Sequence, residues 1–269
     1  MNILILGGDK RQIYLTEILK SQGYNAEHIL SSNRLRDKIK ASDVVVLPLP
    51  ATKDKITVFN AISEDKIYLS DIREFIDKQM ILSCKMNFDD KNCIDYSELD
   101  TFAIKNAVPT AEGAISIAIK ESEKTIFKSN CLVIGNGRIG KILSQLLKQM
   151  GANVTVSARR ESDIAFIEAF NMKAVHTPEI NNIANNFDYI FNTVDFPVID
   201  SKFLEKVKST ALLIELASLP GGINGDKDKA KCKIINAQGL PGKFSPFTAA
   251  EILSETIISI LSTYKGEIL

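Results

Sequence analysis

Short apolar runs, many of them β-branched, alternate along this chain with longer stretches of helical period. Residues 2–6 read as a strand, Gly7-Gly8 turns it, and a helix runs to about Gln22. Gly23 closes that helix where a left-handed residue is favoured. Residues 26–29 form the next strand, and residues 43–47 (DVVVL) a buried one that Pro48 and Pro50 cut off. Further strands are expected at 67–70 and 81–84, after which residues 103–107 lead into the second half. There Val108-Pro109-Thr110-Ala111-Glu112-Gly113 reads as a turn into a long helix, with Thr110 or a neighbour as its cap. Strands at 131–134, 153–157, 172–175, 189–192, 211–216 and 233–236 follow, with a helix near 161–170. A last helix over 247–264 places Ile252, Leu253, Thr256, Ile257, Ile260 and Leu261 on one face. This alternation predicts an α/β chain with mostly parallel sheets and loops gathered at the strand carboxyl ends. The expected division is 1–108, with 248–269 returning to it, and 109–247.

The second half carries the clearest chemistry. Residues 131–160 read CLVIGNGRIGKILSQLLKQMGANVTVSARR: a strand, the turn Gly135-Asn136-Gly137-Arg138-Ile139-Gly140, an amphipathic helix and a second strand. Gly135 permits a tight turn, Gly137 lets backbone amides approach a diphosphate, and Gly140 lets helix and strand pack closely. The helix amino end adds unpaired N–H groups and partial positive charge for that anion. Such a unit predicts a Rossmann-like dinucleotide site. The second strand ends at Ser157, and Arg159 and Arg160 stand where a coenzyme with a free ribose 2′-hydroxyl would meet an acid. Two guanidinium groups favour a 2′-phosphate, hence NADP(H). Asn192, Thr193 and Val194 are expected beneath the adenosine ribose, with Ala217 and Ser218 near the nicotinamide. Gly239, Leu240, Pro241 and Gly242 are expected as a further ligand loop. The GGDKRQ turn of the first half lacks a third glycine and reads as a substrate loop or a plain strand–helix turn.

Composition narrows the field. The chain has 269 residues, with 33 basic and 33 acidic, so no bulk nucleic-acid footprint exists. No apolar run approaches the roughly 20 residues of a membrane helix. The opening residues read as a strand and not as a secretion signal. Cys84, Cys93, Cys131 and Cys232 are scattered without a CxxC pair, which suits a reduced cytoplasm and argues against a metal site. The two histidines, His28 and His176, do not fall where a late catalytic base would, which disfavours ordinary alcohol-to-ketone chemistry.

NAVPTAEGAISIAI (106–119), VIGNGRIG (133–140), LIELASLPGGI (213–223) and AQGLPGKFSPFTAAEIL (237–253), with GGDKRQ at the start, together resemble the A-subunit family of dipicolinate synthase, found in spore-forming bacteria. The first half is short and Lys-rich for that family. The resemblance implies two Rossmann-like domains with a cleft between them, residues 1–108 bearing substrate and catalytic groups and 109–247 binding NADP. It implies oxidation of a dihydro- or hydroxytetrahydrodipicolinate to pyridine-2,6-dicarboxylate in the mother cell. Its implied partner is the flavoprotein-like B subunit of dipicolinate synthase. Open alternatives are an NAD(P)-dependent dehydrogenase of an open-chain amino or hydroxy acid, and a coenzyme-binding scaffold for a catalytic partner. A dicarboxylate needs cations or amides; Arg11 is the expected clamp, with Lys53 and Arg73 as weaker choices. Glu112 is the candidate base or substrate-orienting group, or else a first-turn carboxylate complementing the helix dipole. Thr110 either bonds the substrate or caps the helix.

Overall fold

A computed structural model describes residues 1–86, 88, 92–218 and 220–266. The chain runs β1 (Asn2–Leu6), α1 (Lys10–Ser21), β2 (Asn25–Ile29), α2 (Leu35–Ala41), β3 (Val44–Val46), α3 (Leu69–Phe75), β4 (Met80–Ser83), β5 (Cys93–Asp95) and α4 (Asp100–Lys120). It continues through β6 (Asn130–Ile134), α5 (Arg138–Gln149), β7 (Asn153–Ala158), α6 (Glu161–Ala169), β8 (Lys173–His176) and β9 (Tyr189–Asn192). Then come α7 (Ser201–Lys206), β10 (Leu212–Glu215), β11 (Lys233–Asn236), α8 (Leu240–Phe244) and α9 (Pro246–Gly266). The chain divides into two compact units, Met1–Asn106 with Pro241–Leu269, and Ala107–Leu240. Among the described residues no helix is long and apolar enough to cross a membrane.

The first unit holds a parallel sheet in the order β2-β1-β3-β4-β5. Its central strands are apolar on both faces, as parallel strands covered by helices on each side must be. Ile3, Ile5, Val44 and Val46 pack with Leu15 and Leu19 of α1 and Ile257 and Leu261 of α9. Leu4, Leu6, Val45 and Leu47 face the other way, toward Leu35, Ile39 and Ile72 of α2 and α3. Helix α9 thus packs back on the first sheet, its edge fixed by Tyr14 against Phe247 with ring planes 82° apart.

The second unit holds six parallel strands in the order β11-β10-β9-β6-β7-β8. Read from β8, this is the doubly wound order in which strand sequence reverses between β6 and β9. One face buries Cys131, Val133 and Val156 beneath Leu143 and Leu147 of α5 and Ala111, Ala114 and Ala118 of α4. The other buries Leu132 and Ile134 against Phe203 and Leu204 of α7.

Three local expectations are corrected. Residues 67–70 do not form a strand: they enter α3, because Leu69 and Ile72, three apart, bury on one side. The long helix does not begin after Val108. It begins at Asp100 and carries Pro109 inside it, so Thr110 is no cap and Glu112 lies beyond the first turn. Burial of Phe102, Ala107, Ala111, Ala114 and Ala118 at helical spacing outweighs the penalty of an internal proline, about 3 kcal/mol. Finally, Gly239 alone remains a loop residue of the expected 239–242 segment. Leu240 opens α8, and Pro241 takes the first turn, where its missing N–H costs little.

Candidate functional site

In the second unit β6 runs to Ile134 and the chain turns at Gly135, whose φ of +100° is left-handed. The Gly135 N–H donates to Ser157 O at 3.0 Å, joining the turn to the end of β7. Thr193 Oγ1 donates to Ile134 O at 2.9 Å, and Thr193 and Val194 crowd the side of Gly135 where a Cβ would project. Gly140 is wedged against Gly135: a Cβ there would lie 2.1 Å from the Gly135 carbonyl oxygen. Gly137 differs. It is the N-cap of α5, has no side-chain capping bond, and would meet nothing within 4 Å if given a Cβ. The first turn of α5 contains no acid, and Arg138 is exposed at its start. Ile139 packs on the core beneath. Uncapped amides, a backbone stripped of side chains and open space in front together form a cradle that a Cβ would begin to fill. These residues fit a dinucleotide diphosphate.

Beyond β7, Arg159 and Arg160 are exposed. Arg160 Nε donates to Asp163 Oδ2 at 2.7 Å, and Asn136 Nδ2 donates to Asp163 Oδ1 at 3.3 Å. Asp163 therefore links the glycine turn to the arginine pair. The hydrogen bond from Arg160 holds its carboxyl below the usual aspartate range. Ser157 is fully buried and its Oγ accepts from Thr177 Oγ1 at 3.4 Å, so its backbone, not its hydroxyl, serves the turn.

The next two strands continue the row. Ile134, Asn192 and Glu215 are in register across β6, β9 and β10. Asn192 is fully buried, and its Nδ2 donates to Glu215 Oε1 at 2.7 Å and to Val194 O at 3.0 Å. Its side chain is engaged inside the protein and is not offered to a ribose. Ala217 is buried while Ser218 is exposed. Gly239 has φ +69° and open space around its Cα.

The first unit has its own cluster at the point where its strand order reverses, between β1 and β3. Asp9 caps α1, accepting from Arg11 N, while Gln12 Oε1 accepts from Asp9 N, a reciprocal capping box. Arg11, far from lying on a helix surface, is 4% exposed. Its Nε and Nη2 form a two-pronged pair with Asp9 at 2.9 and 2.8 Å, and Nη2 also donates to Leu49 O at 2.5 Å. Burial raises the Asp9 carboxyl, and the Arg11 hydrogen bonds and charge more than reverse this, leaving it below the usual range. Lys53, over the Phe59 ring at 4.1 Å, adds a second cation that acts on Asp9. Arg73 instead stacks on Phe88, 5.4 Å from the ring centroid. Tyr96 OH donates to Leu47 O at 3.0 Å and steadies the segment leading to the cis Leu49–Pro50 bond. Gly242 belongs here: a Cβ on it would lie 2.6 Å from Asp9 Oδ2 and 2.8 Å from Arg11 Nε. Pro241 precedes it in α8.

Glu112 is exposed in the interior of α4, and Thr110 is buried there. His28 sits with Nε2 2.7 Å from Gly7 O, and His176 pairs with exposed Glu161 at 3.5 Å. Burial pushes the Cys84 thiol up to about 11 and the Cys131 thiol up to about 12, so neither is a ready nucleophile. Among the described residues no cluster of His, Cys, Asp and Glu could hold a metal ion.

Residues 2–103 match the family model of the N-terminal domain of the dipicolinate synthase A subunit. Residues 109–218 match the D-isomer specific 2-hydroxyacid dehydrogenase NAD binding domain. The A subunit of dipicolinate synthase from Bacillus subtilis (strain 168) is 28% identical, the alignment covering 99% of this chain and 98% of that protein. The chain is similar to this A subunit throughout. Its fold agrees: the crystal structure of the Bacillus subtilis protein aligns with a TM-score of 0.86 at 26% identity, covering 99% of this chain and 97% of that one. The Bacillus halodurans counterpart aligns with a TM-score of 0.85 at 26% identity, covering 97% of each. The two parallel sheets are therefore Rossmann-like domains, the second of the NAD-binding dehydrogenase type.

Two site residues escape the sequence reading, Glu215 and Asp163. A charged residue inside the apolar run LLIELA was a visible signal for the first, since buried carboxylates need partners. Asp163, three residues after Arg160, offered a helical ion-pair spacing.

Proposed function

We propose that this chain is an NADP-linked oxidoreductase subunit that forms pyridine-2,6-dicarboxylate from a dihydro- or hydroxytetrahydrodipicolinate in the cytoplasm of a sporulating mother cell. One observation carries the redox part: the bare cradle at Gly135, Gly137 and Gly140, with Arg159 and Arg160 at the end of the adjoining strand. When bound, the nicotinamide coenzyme would supply a hydride acceptor. Amides at the start of α5 would hold its diphosphate, with Arg138 beside them. Arg159 and Arg160 would pair with the 2′-phosphate. Thr193 and Val194 crowd the turn, and Ala217, Ser218 and Gly239, after β10 and β11, would lie toward the nicotinamide end.

The substrate side rests on charge. Asp9 contributes one negative charge, and Arg11 and Lys53 two positive ones, so the first-unit cluster keeps a net cation for a ring carboxylate. Arg11 uses Nε and Nη2 within the protein, and its Nη1 remains to meet a carboxylate. Glu112 would take the proton that is lost when a ring carbon gives up its hydride; Thr110, two residues earlier on α4, is buried on another side of the helix. Aromatisation pulls such a step forward, and the protons lost lie next to imine or carboxyl groups. A strong histidine base is then dispensable, consistent with His28 facing Gly7 O.

The partner would be the flavoprotein-like B subunit of dipicolinate synthase. The test is an assay of the purified chain, alone and with such a partner, following NADPH absorbance and pyridine dicarboxylate together. Product formed with matching coenzyme reduction supports the reading; product that appears with no change in coenzyme contradicts it.

A further inference from the structure

Glu215 ends β10 with a carboxylate that is 2% exposed and accepts three hydrogen bonds. Oε1 takes Asn192 Nδ2 at 2.7 Å and Ala217 N at 3.0 Å; Oε2 takes Gly222 N at 3.3 Å. Three donors from separate points along the chain thus converge on one anion. Gly222 also packs closely on this cluster, since a Cβ on it would stand 2.3 Å from Asn192 Nδ2 and 2.5 Å from Val194 O. Val198 and Ile199 donate to Gly222 O at 3.0 and 2.9 Å, carrying the arrangement on to the chain after β9.

The placement matters because Glu215 is in register with Ile134, the residue before the glycine turn, two strands away. At about 4.8 Å per strand that is roughly 10 Å, within the span of a dinucleotide whose diphosphate lies on the turn. Its adenosine end would go toward β7 and the arginines, and its nicotinamide end the other way, over β9 and β10.

We propose that Glu215 is a positioning residue of the coenzyme site: its carboxylate ties the backbone at Ala217 and Gly222 to Asn192 and so fixes the wall beside the nicotinamide end. The assignment rests on the coenzyme reading above. The energetics support it. Burial raises the Glu215 carboxyl above the usual glutamate range despite the bonds from Asn192, Ala217 and Gly222, and Lys227 is the charged group acting on it. The raised folded value means that its stabilising contribution is present in acid, below the unfolded value of 4.5, and is lost as pH rises through the folded value. The fold keeps a charge that does not favour stability, while the charge is what accepts all three donors.

Glu215→Gln separates the two roles. The amide oxygen can still accept from Asn192 and Ala217, but the amide nitrogen must face the Gly222 N–H, donor against donor. At about pH 8 the variant should melt no lower than the parent, lose amide-exchange protection at Gly222 and bind NADH at least tenfold more weakly by calorimetry. As the pH is lowered through the raised value of the Glu215 carboxyl, NADH affinity of the parent should fall toward that of the variant, whose own affinity stays flat. NADH is the probe because its diphosphate keeps its charge over that range. If the parent binds NADH and the variant binds it equally well, the positioning role is overturned and the coenzyme reading stands. If the variant loses stability and affinity together at all pH values, Glu215 is merely structural and the proposal fails. If the parent binds neither NADH nor NADPH, both readings fall.

Discussion

Gly140 faces the Gly135 carbonyl oxygen so closely that a Cβ at residue 140 would stand 2.1 Å away, far inside any real contact. Backbone, not a yielding side chain, is what it would strike. Gly140→Ala should therefore push α5 off β6, destabilise the protein by about 1–3 kcal/mol and lower the melting temperature by several degrees. Calorimetric melting checks this. An unchanged melting temperature would mean that the turn is not held as described.

Gly137→Ala is the complementary case. The new methyl would meet no protein atom within 4 Å, and φ −79° suits alanine. Stability should be unchanged within about 0.5 kcal/mol. Affinity for the nicotinamide coenzyme should fall at least tenfold, about 1.4 kcal/mol, because the methyl would enter the space proposed for the diphosphate. Equal affinity in titration calorimetry would move the diphosphate elsewhere.

Arg159→Asp with Arg160→Ser should weaken NADPH binding far more than NADH binding. Equal loss for both coenzymes would show that the arginines do not read a phosphate. Asp163→Asn removes the carboxylate that now holds Arg160. It should raise NADPH affinity severalfold at low salt, an advantage that shrinks as salt is added.

Arg11→Met tests the first-unit cluster. It would leave the Asp9 carboxylate without its two-pronged partner, and because the Asp9 side chain keeps 20% exposure the cost should be near the low end for a broken buried pair, about 3 kcal/mol. The pairing lowers the folded Asp9 value, so its contribution is present above the unfolded value of 3.8 and is lost as pH falls through the folded one. Denaturation curves should accordingly show the deficit of the variant largest near neutrality and shrinking in acid.

Glu112→Gln should cut turnover at least tenfold while coenzyme affinity stays within twofold. Glu112 is exposed within α4 and well past its first turn. A helix-dipole role is gone, and unchanged turnover would leave the residue without a part in the reaction.

Much of the second unit was legible because its signals are local. The apolar β6 run, three glycines at fixed spacing and the amphipathic α5 each dictate their own conformation, and packing at Gly135 and Gly140 agrees with all of them. The start of α4 was not legible. Pro109 is a strong local stop, and only tertiary burial of Phe102 and Ala107 on one side and Ala111 and Ala114 on the other lets the helix run through it. Residues 67–70 misled for a similar reason, a short apolar run being compatible with either strand or helix. At the site, Arg11 was recognisable as a charged residue after a strand. Its bond to Leu49 O was not, since a contact 38 residues away leaves no periodicity. Glu215 stood out as a charge inside an apolar strand, but its donors Asn192 and Gly222 left no local pattern.

Titration calorimetry of the unmodified chain with NADPH and with NADH decides whether the glycine turn and the arginine pair hold a coenzyme. Saturable uptake of one coenzyme per chain is expected, with NADPH bound at least tenfold more tightly at low salt and the gap narrowing as salt rises. Failure of folded protein to take up either coenzyme would contradict this.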